Sequence, residues 1–443
     1  MRDQERIVKV QELLDAFDNS QKVASKIVNS YFRSNKFIGS KDRKFISKSF
    51  WNILRNRYKI KWHIENLNLK NTNFYEVILE LFFLNEDYRN NIIKIKNLIN
   101  LTSQTNQSFT GISLDFLDSE QFKNFNHPNM PDFINYELQE FLLNSIQASF
   151  PDKWLEIILS INKEAFFDVR VNRIKKLSRD QLSMKLRALE IDHEYSQYSP
   201  FGIRLKKRYP IEGYDIYKNG NLEIQGEASQ IASILTDAKP GMQIAEICSG
   251  AGGKSLILAD LMENKGRIVS FDINKKRLEN AGLRLKRAGV HNVERRHVDK
   301  EWSVKGLEKK FDLVLIDAPC SGIGKWSRSP DSKFSFTKKK LQELVNIQYD
   351  LLVKGSMMVK PGGKLAYMVC SFLYEESFNQ IEKFKKKKNS DFSEINMVNM
   401  WNDTIFFMNK APYPFNREQN SILLNPTIHK TDGFFISMFQ RKR

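Results

Sequence analysis

"MQIAEICSGAGGKSLILADLM", residues 242–262, decides the fold. An apolar run ends at Ile247-Cys248, a turn of small residues follows, and a helix-like stretch comes after it. The same alternation repeats to the end of the chain. "RIVSFDI" (267–273), "VERRHV" (293–298), "FDLVLID" (311–317) and "KLAYMVCS" (364–371) read as strands. "KKRLENAGLRLKRAG" (275–289) and "LQELVNIQYDLLVKGSMM" (341–358) read as helices between them. Such alternation predicts a doubly wound, mostly parallel sheet from about residue 236 onward. In that architecture ligands bind beyond the carboxyl ends of the strands, so residues just after each strand carry the functional information.

Upstream, the pattern differs. Residues 1–140 read as a basic helical domain. Val10, Leu13, Leu14 and Phe17 recur at helical spacing, and so do Phe45, Ile46, Phe50, Ile53 and Leu54, with Lys and Arg on the opposite face. Residues 141–235 read as a small α+β connecting subdomain. "FFDVRVNRIK" (166–175) alternates like a strand and precedes the helix-like "SRDQLSMKLRALEI" (178–191). "GYDIYKNGNLEIQG" (213–226) reads as a hairpin turning at Asn219-Gly220. The expected class is thus an α/β multidomain chain: an all-α front end, the small subdomain and a Rossmann-like domain over 236–443.

The 443 residues carry a formal net charge of +18, with 41% hydrophobic and 28% charged residues. That composition is globular, and the charge surplus favours a polyanionic partner, most simply nucleic acid. Three cysteines cannot build a disulfide framework, and there is no Cys-x-x-Cys pair. Six scattered histidines show no metal-ligand spacing, so no metal is expected. No apolar run is long enough to cross a bilayer, and the N-terminus lacks an apolar signal core. A soluble, reducing, cytoplasmic setting and a monomer without an obligate protein partner are the expectations.

The loop Cys248–Lys254 (Cys248, Ser249, Gly250, Ala251, Gly252, Gly253, Lys254) suits close approach of backbone N–H groups to a ligand at a helix start. Dinucleotides and S-adenosylmethionine both use such a turn. The G-x-G-x-x-G spacing of dinucleotide sites is absent, which favours S-adenosylmethionine. Asp272, about 20 residues on, ends the second strand where an acid accepts hydrogen bonds from ribose hydroxyls. Asp299 ends the third strand, placed for an adenine amino group, and Asp317 ends the fourth. Cys248 reads as a small packing residue. Cys320 and Cys370 each follow a strand at the active edge, and both can face one pocket. A methyl donor, a thiol and nucleic acid together suggest methylation at C5 of cytosine. A thiolate adding to C6 makes C5 nucleophilic, an acid such as Asp317 near N3 favours the addition, and the base must leave its stack.

Here the residues resemble the Sun/Nop/RsmB-type RNA cytosine-C5 methyltransferases. "DAPCSGIG" with the following Arg328 and Pro330-Asp331 resembles the family's fourth motif, "GGKLAYMVCSFLYEES" its sixth and "EICSGAGGKS" its first. "EIQGEASQ" is similar to the segment entering the catalytic domain, and "TDGFFISMFQRKR" to the last strand. "SKDRKFISKSFWNILRNR" resembles the NusB-like RNA-binding domain of the bacterial 16S rRNA members. The resemblance implies that Cys370 is the nucleophile, Cys320 assists elimination and release, and Asp317 activates the base. It further implies S-adenosylmethionine as co-substrate, held by the loop 248–254, Asp272, Asp299 and Asp317. RNA, specifically 16S rRNA, is then the partner, with Lys254 and Arg328 as base or RNA contacts. The family's Ala-Ala-Pro-Gly-Gly-Lys is here Ser249-Gly250-Ala251-Gly252-Gly253-Lys254. Val369 stands for a Thr, Gly226 for an acid, and Trp326-Ser327 for a more basic stretch. Rival readings are a tRNA methyltransferase of the same family, a non-catalytic RNA-binding assembly factor, and a Rossmann oxidoreductase.

Overall fold

The computed structural model describes residues 1–443 except 70–71, 105, 107–113, 119–123, 389 and 416–419. The chain forms two compact units: Met1–Asn162 with Trp326–Phe336, and Lys163–Lys325 with Thr337–Arg443.

The first unit is helical among its described residues. Its helices include Asp3–Asp18, Ser40–Arg55, Arg57–Asn66 and Asn73–Phe83. The predicted stripes do face inward: Val10, Leu13, Leu14, Ile46, Phe50, Ile53 and Leu54 are fully buried, and Phe17 and Phe45 pack at the margin. Asn73–Phe83 is buried from Phe74 onward on every side, and its buried Glu76 is paired with Arg57. Trp326–Phe336 leaves the second unit in sequence and packs as part of the first. Lys333 anchors it. Its buried ammonium donates to Glu137 (2.6 Å) and to the Arg55 carbonyl (2.7 Å). Glu137 in turn accepts the Lys59 and Tyr58 N–H groups at the start of helix Arg57–Asn66, so both charges find partners.

In the second unit β1 (Phe167–Val171), β2 (His193–Tyr195), β3 (Gly202–Leu205) and β4 (Leu222–Ile224) form an antiparallel sheet in the order β2-β3-β1-β4. The expected hairpin at Asn219-Gly220 is absent. Asp215–Lys218 is a helical turn, and Gly220 (φ +72°) closes it. A helix stop and a hairpin turn both call for a left-handed glycine, so the dipeptide could not separate them. β4 pairs with β1 instead.

The large sheet holds β5 (Gln243–Ile247), β6 (Arg267–Asp272), β7 (Val293–His297), β8 (Phe311–Asp317), β9 (Val359–Val369), β10 (Phe392–Glu394), β11 (Ser421–Leu424) and β12 (Phe434–Arg441). Its order is β10-β12-β9-β8-β5-β6-β7, with β11 on β12. The five strands β5 to β9 run parallel, and β12 is antiparallel to β9. Both faces are apolar. Ile244, Leu313, Leu315, Met368 and Ile436 pack with helix Gly253–Leu261. Ala245, Val314, Ile316, Tyr367 and Phe435 pack with residues of helices Lys338–Met358 and Phe378–Lys388. Side chains alternate faces along a strand, and crossover helices cover both faces of a parallel sheet, so its central strands are apolar throughout. The strand order reverses between β5 and β8. A crevice opens beyond the carboxyl ends at such a point.

Candidate active site

The small-residue turn after β5 is bent by three left-handed residues: Cys248 (φ +62°), Gly250 (φ +58°) and Gly252 (φ +75°). For Cys248, which has a Cβ, that conformation costs about 1–3 kcal/mol. Neighbouring hydrogen bonds hold it. Ser249 N–H donates to the Phe271 carbonyl (3.0 Å), continuing the parallel ladder, and Gly250 N–H donates to Asp272 (2.7 Å). Gly252 starts the helix against Ala281, whose Cβ would lie 3.0 Å from a Cβ added there. At Gly250 an added Cβ meets nothing within 4 Å, so the loop faces open space. Burial and the nearby carboxylates push the Cys248 thiol up to about 12, which leaves it a neutral packing group.

Asp272 is buried at the end of β6 and also accepts the Asn274 N–H (2.7 Å). Ile273, the next residue, is 57% exposed and offers an apolar surface at the same edge. Asp299 is exposed just past β7, whose His297 pairs in register with Asp272. The loop, Asp272 and Asp299 thus share one end of the sheet. Open space, backbone N–H groups, two carboxylates and an apolar surface fit a nucleoside carrying a charged amino-acid end.

Asp317 ends β8 and pairs in register with Met368 on β9. The ladder continues one residue further, with Ala318 N–H donating to Met368 (2.9 Å). The two chains therefore leave the sheet together, and Cys320 and Cys370 meet with their sulfurs 3.3 Å apart. Both are free thiols. The buried Lys254, in the first turn of its helix, reaches across to form an ion pair with Asp317. Arg328, also expected at the site, belongs to the excursion that packs with the helical unit.

A buried carboxylate ties the two thiol loops together. Glu376 accepts the Ser321 N–H (2.7 Å), the Ser321 hydroxyl (2.5 Å) and the Gln348 amide (3.1 Å). Gln348 also donates to the Pro319 carbonyl (2.9 Å), and Tyr367 donates to the Glu376 carbonyl (2.7 Å). On the other side, Gly324 N–H donates to the Cys370 carbonyl (3.2 Å) and Gly433 N–H donates to the Gly324 carbonyl (2.9 Å). Two glycines are needed there, because a Cβ on Gly324 would sit 2.0 Å from the Gly433 oxygen.

The two thiols are not equivalent. The hydrogen bond from Cys320 lowers the Cys370 thiol below its ordinary range, with Lys325 and Lys254 assisting against burial and Asp317. The hydrogen bond to Cys370, burial and the negative groups at Cys370 and Glu376 raise Cys320. When the pair loses a proton, Cys370 is the sulfur favoured to carry the charge, with the Cys320 S–H able to donate to it. The thiolate is the nucleophilic form. Lys325, Glu376, Gly324, Gly433 and Phe434 were not singled out from the sequence. Lys325, five residues past Cys320, stands beside the unusual Trp326-Ser327, which was the one signal available.

No helix among the described residues is long and apolar enough to cross a membrane. Comparison with known proteins gives a consistent picture. The family described as 16S rRNA methyltransferase RsmB/F matches residues 233–440, and the ferredoxin-like domain of RsmF/B-like methyltransferases matches 139–212. Ribosomal RNA small subunit methyltransferase B of Photorhabdus laumondii is 27% identical over 365 residues, covering 79% of this chain and 83% of that protein. A 28S rRNA (cytosine-C(5))-methyltransferase of Mus musculus is 29% identical over 313 residues, 69% of this chain and 39% of that protein. Among solved structures, that of PH0851 superimposes with a TM-score of 0.78 over 99% of both chains at 22% identity, a likeness of fold.

Proposed function

Because the chain belongs to the RsmB/F methyltransferase family, we propose that it methylates C5 of a cytosine in small-subunit rRNA through a covalent Cys370–C6 adduct. The observation that carries this reading is the 3.3 Å approach of Cys320 to Cys370 beside the Lys254–Asp317 pair. S-adenosylmethionine supplies the methyl group on a sulfonium leaving group. Gly250, Ile273, Asp272 and Asp299 would hold its nucleoside end.

The chain's own residues do the rest. The target base is turned out of its stack into the crevice. The Cys370 thiolate forms a bond to C6, and the C5=C6 electron pair becomes available at C5. As charge accumulates, N3 takes up a proton from solvent, the Asp317 carboxylate accepts a hydrogen bond from that N3–H, and the Lys254 ammonium meets charge at O2. After C5 has taken the methyl group, its proton must go to a base, and the C6–S bond then breaks to restore the double bond. Cys320 is suited to that step. The negative Cys370 keeps it protonated in the resting enzyme, and that charge vanishes once Cys370 is bonded to carbon. Cys320 can then lose its proton to solvent and accept the one from C5. The basic helical unit, expected from the sequence to be NusB-like, would bind the RNA.

Labelled S-adenosylmethionine and unmodified small-subunit rRNA test the reading on a denaturing gel. Wild type is expected to yield labelled 5-methylcytosine. Cys320→Ala should trap a protein–RNA band that disappears in Cys320→Ala/Cys370→Ala. RNA binding without label or adduct would favour the assembly-factor reading, and label in tRNA alone would move the substrate to tRNA.

A further inference from the structure

We propose that Lys325 is a positioning residue for the nucleophile, its ammonium holding Cys370 as a thiolate before any substrate arrives. The inference rests on the reading of Cys370 as the attacking group.

The backbone of Lys325 is fixed relative to Cys370. It ends a tight helical turn, Ile323–Lys325, closed by its N–H to the Gly322 carbonyl (2.7 Å). The preceding residue, Gly324, is bonded to Cys370 on one side and Gly433 on the other. The side chain turns to the buried ring of Phe434. Its Nζ lies 5.4 Å from the ring centroid, and the Nζ of Lys254 lies 5.1 Å from the same centroid. Two ammonium groups therefore converge on one aromatic ring next to the thiol pair. Lys254 already has a carboxylate partner in Asp317. Lys325 lies within electrostatic reach of Cys370 and Cys320 just past the ends of β9 and β8, of Asp317 on β8, and of Asp432 just before β12. Burial works against its charge, yet these groups together hold its proton more firmly than usual. The same attraction acts in reverse on Cys370. A nearby cation stabilises the thiolate over the thiol. Lys254 also acts on the sulfur, but its ammonium is paired with Asp317, and Lys325 has the larger influence of the two on Cys370.

Alkylation tests this without RNA or S-adenosylmethionine. The full chain is treated with iodoacetamide between pH 6 and 10, and modification at Cys370 is followed by peptide mass spectrometry. Lys325→Met and Lys325→Gln should move the midpoint for Cys370 upward by about one pH unit, slowing alkylation at pH 7 about fivefold. Lys325→Arg should restore the wild-type midpoint, a rescue that a purely structural role for the side chain would not give. Folding is checked by thermal melting, and having two neutral variants guards against one that does not fold. Coincident profiles for wild type, Met and Gln would overturn the inference. Methyl transfer by wild type with coincident profiles sinks the role of Lys325 alone. A Lys325-dependent profile with no methyl transfer to any rRNA sinks the methyltransferase reading instead.

Discussion

Gly324→Ala is the sharpest probe of the thiol site, because its effect is purely steric. Gly324 is not among the left-handed glycines, so alanine meets no backbone strain there. Its Cβ, however, would lie 2.0 Å from the Gly433 oxygen, 2.6 Å from the carbonyl carbon and 2.8 Å from the Cα. Backbone atoms cannot yield as a side-chain tip can. The two segments must part by about 1 Å to reach a tolerable separation. That movement breaks or stretches the Gly433–Gly324 hydrogen bond (2.9 Å) and the Gly324–Cys370 bond (3.2 Å). Two such bonds contribute about 1 kcal/mol each, and overpacking adds about 1–3 kcal/mol. The local cost is therefore about 3–5 kcal/mol, small enough for the fold to survive. The displaced loop carries Lys325 directly and Cys320 four residues before Gly324. A shift of about 1 Å in catalytic groups lowers rates about 100-fold. Initial rates of methyl transfer should show that loss in kcat/KM. Calorimetry should show S-adenosylmethionine affinity within about twofold of wild type, since the loop after β5 makes none of these bonds. A folded Gly324→Ala enzyme with near wild-type rates would refute the argument that this glycine pair sets the thiol geometry.

Two further outcomes concern stability. Lys333→Met leaves Glu137 buried opposite an apolar side chain, and breaking such a pair costs about 3–5 kcal/mol. Adding Glu137→Leu should recover part of that in a double-mutant cycle read by thermal melting, and strict additivity would show that the pair is not coupled. Burial raises the Glu246 carboxyl from its ordinary 4.5 to about 7, against the Ser255 and Ser270 hydroxyls that bond its charged form. The folded chain then keeps a proton that the unfolded chain releases above pH 4.5. Stability falls as pH rises from 4.5 to 7, by roughly 3 kcal/mol in all, and stays at the lower level above 7. Glu246→Gln should remove this dependence and melt higher, relative to wild type, at pH 8 than at pH 5. An equal difference at both pH values would count against it.

Much of the fold was legible because its signals are local. The alternation of apolar strands and amphipathic helices from residue 242 onward set the element order, and the five parallel strands lie where that alternation put them. The helical stripes at Val10–Leu14 and Ile46–Leu54 were equally clear, since burial of one face is written at period 3.6. The turn at Asn219-Gly220 was misread because its dipeptide encodes only a left-handed residue, not which element ends there. The site divided in the same way. Acids and thiols at strand ends could be picked out one at a time. Glu376 and Gln348, by contrast, sit among ordinary helix and loop residues and gain meaning only through the buried bonds they make to the Ser321 and Pro319 loop.

From the sequence alone, then, come the strands and helices, the small-residue turn after β5, and the short roster of groups able to do covalent chemistry at a sheet edge. Local periodicity and residue chemistry suffice for these. The tertiary structure decided which strands are neighbours. Placing β9 beside β8, in a register matching Asp317 with Met368, turned two cysteines fifty residues apart into a pair 3.3 Å apart with unlike proton affinities. It also sent Trp326–Phe336 into the helical unit and left Lys325 within electrostatic reach of the sulfurs. Strand order and side-chain convergence arise from burial and hydrogen bonding between segments far apart in the chain, and no local pattern carries that information.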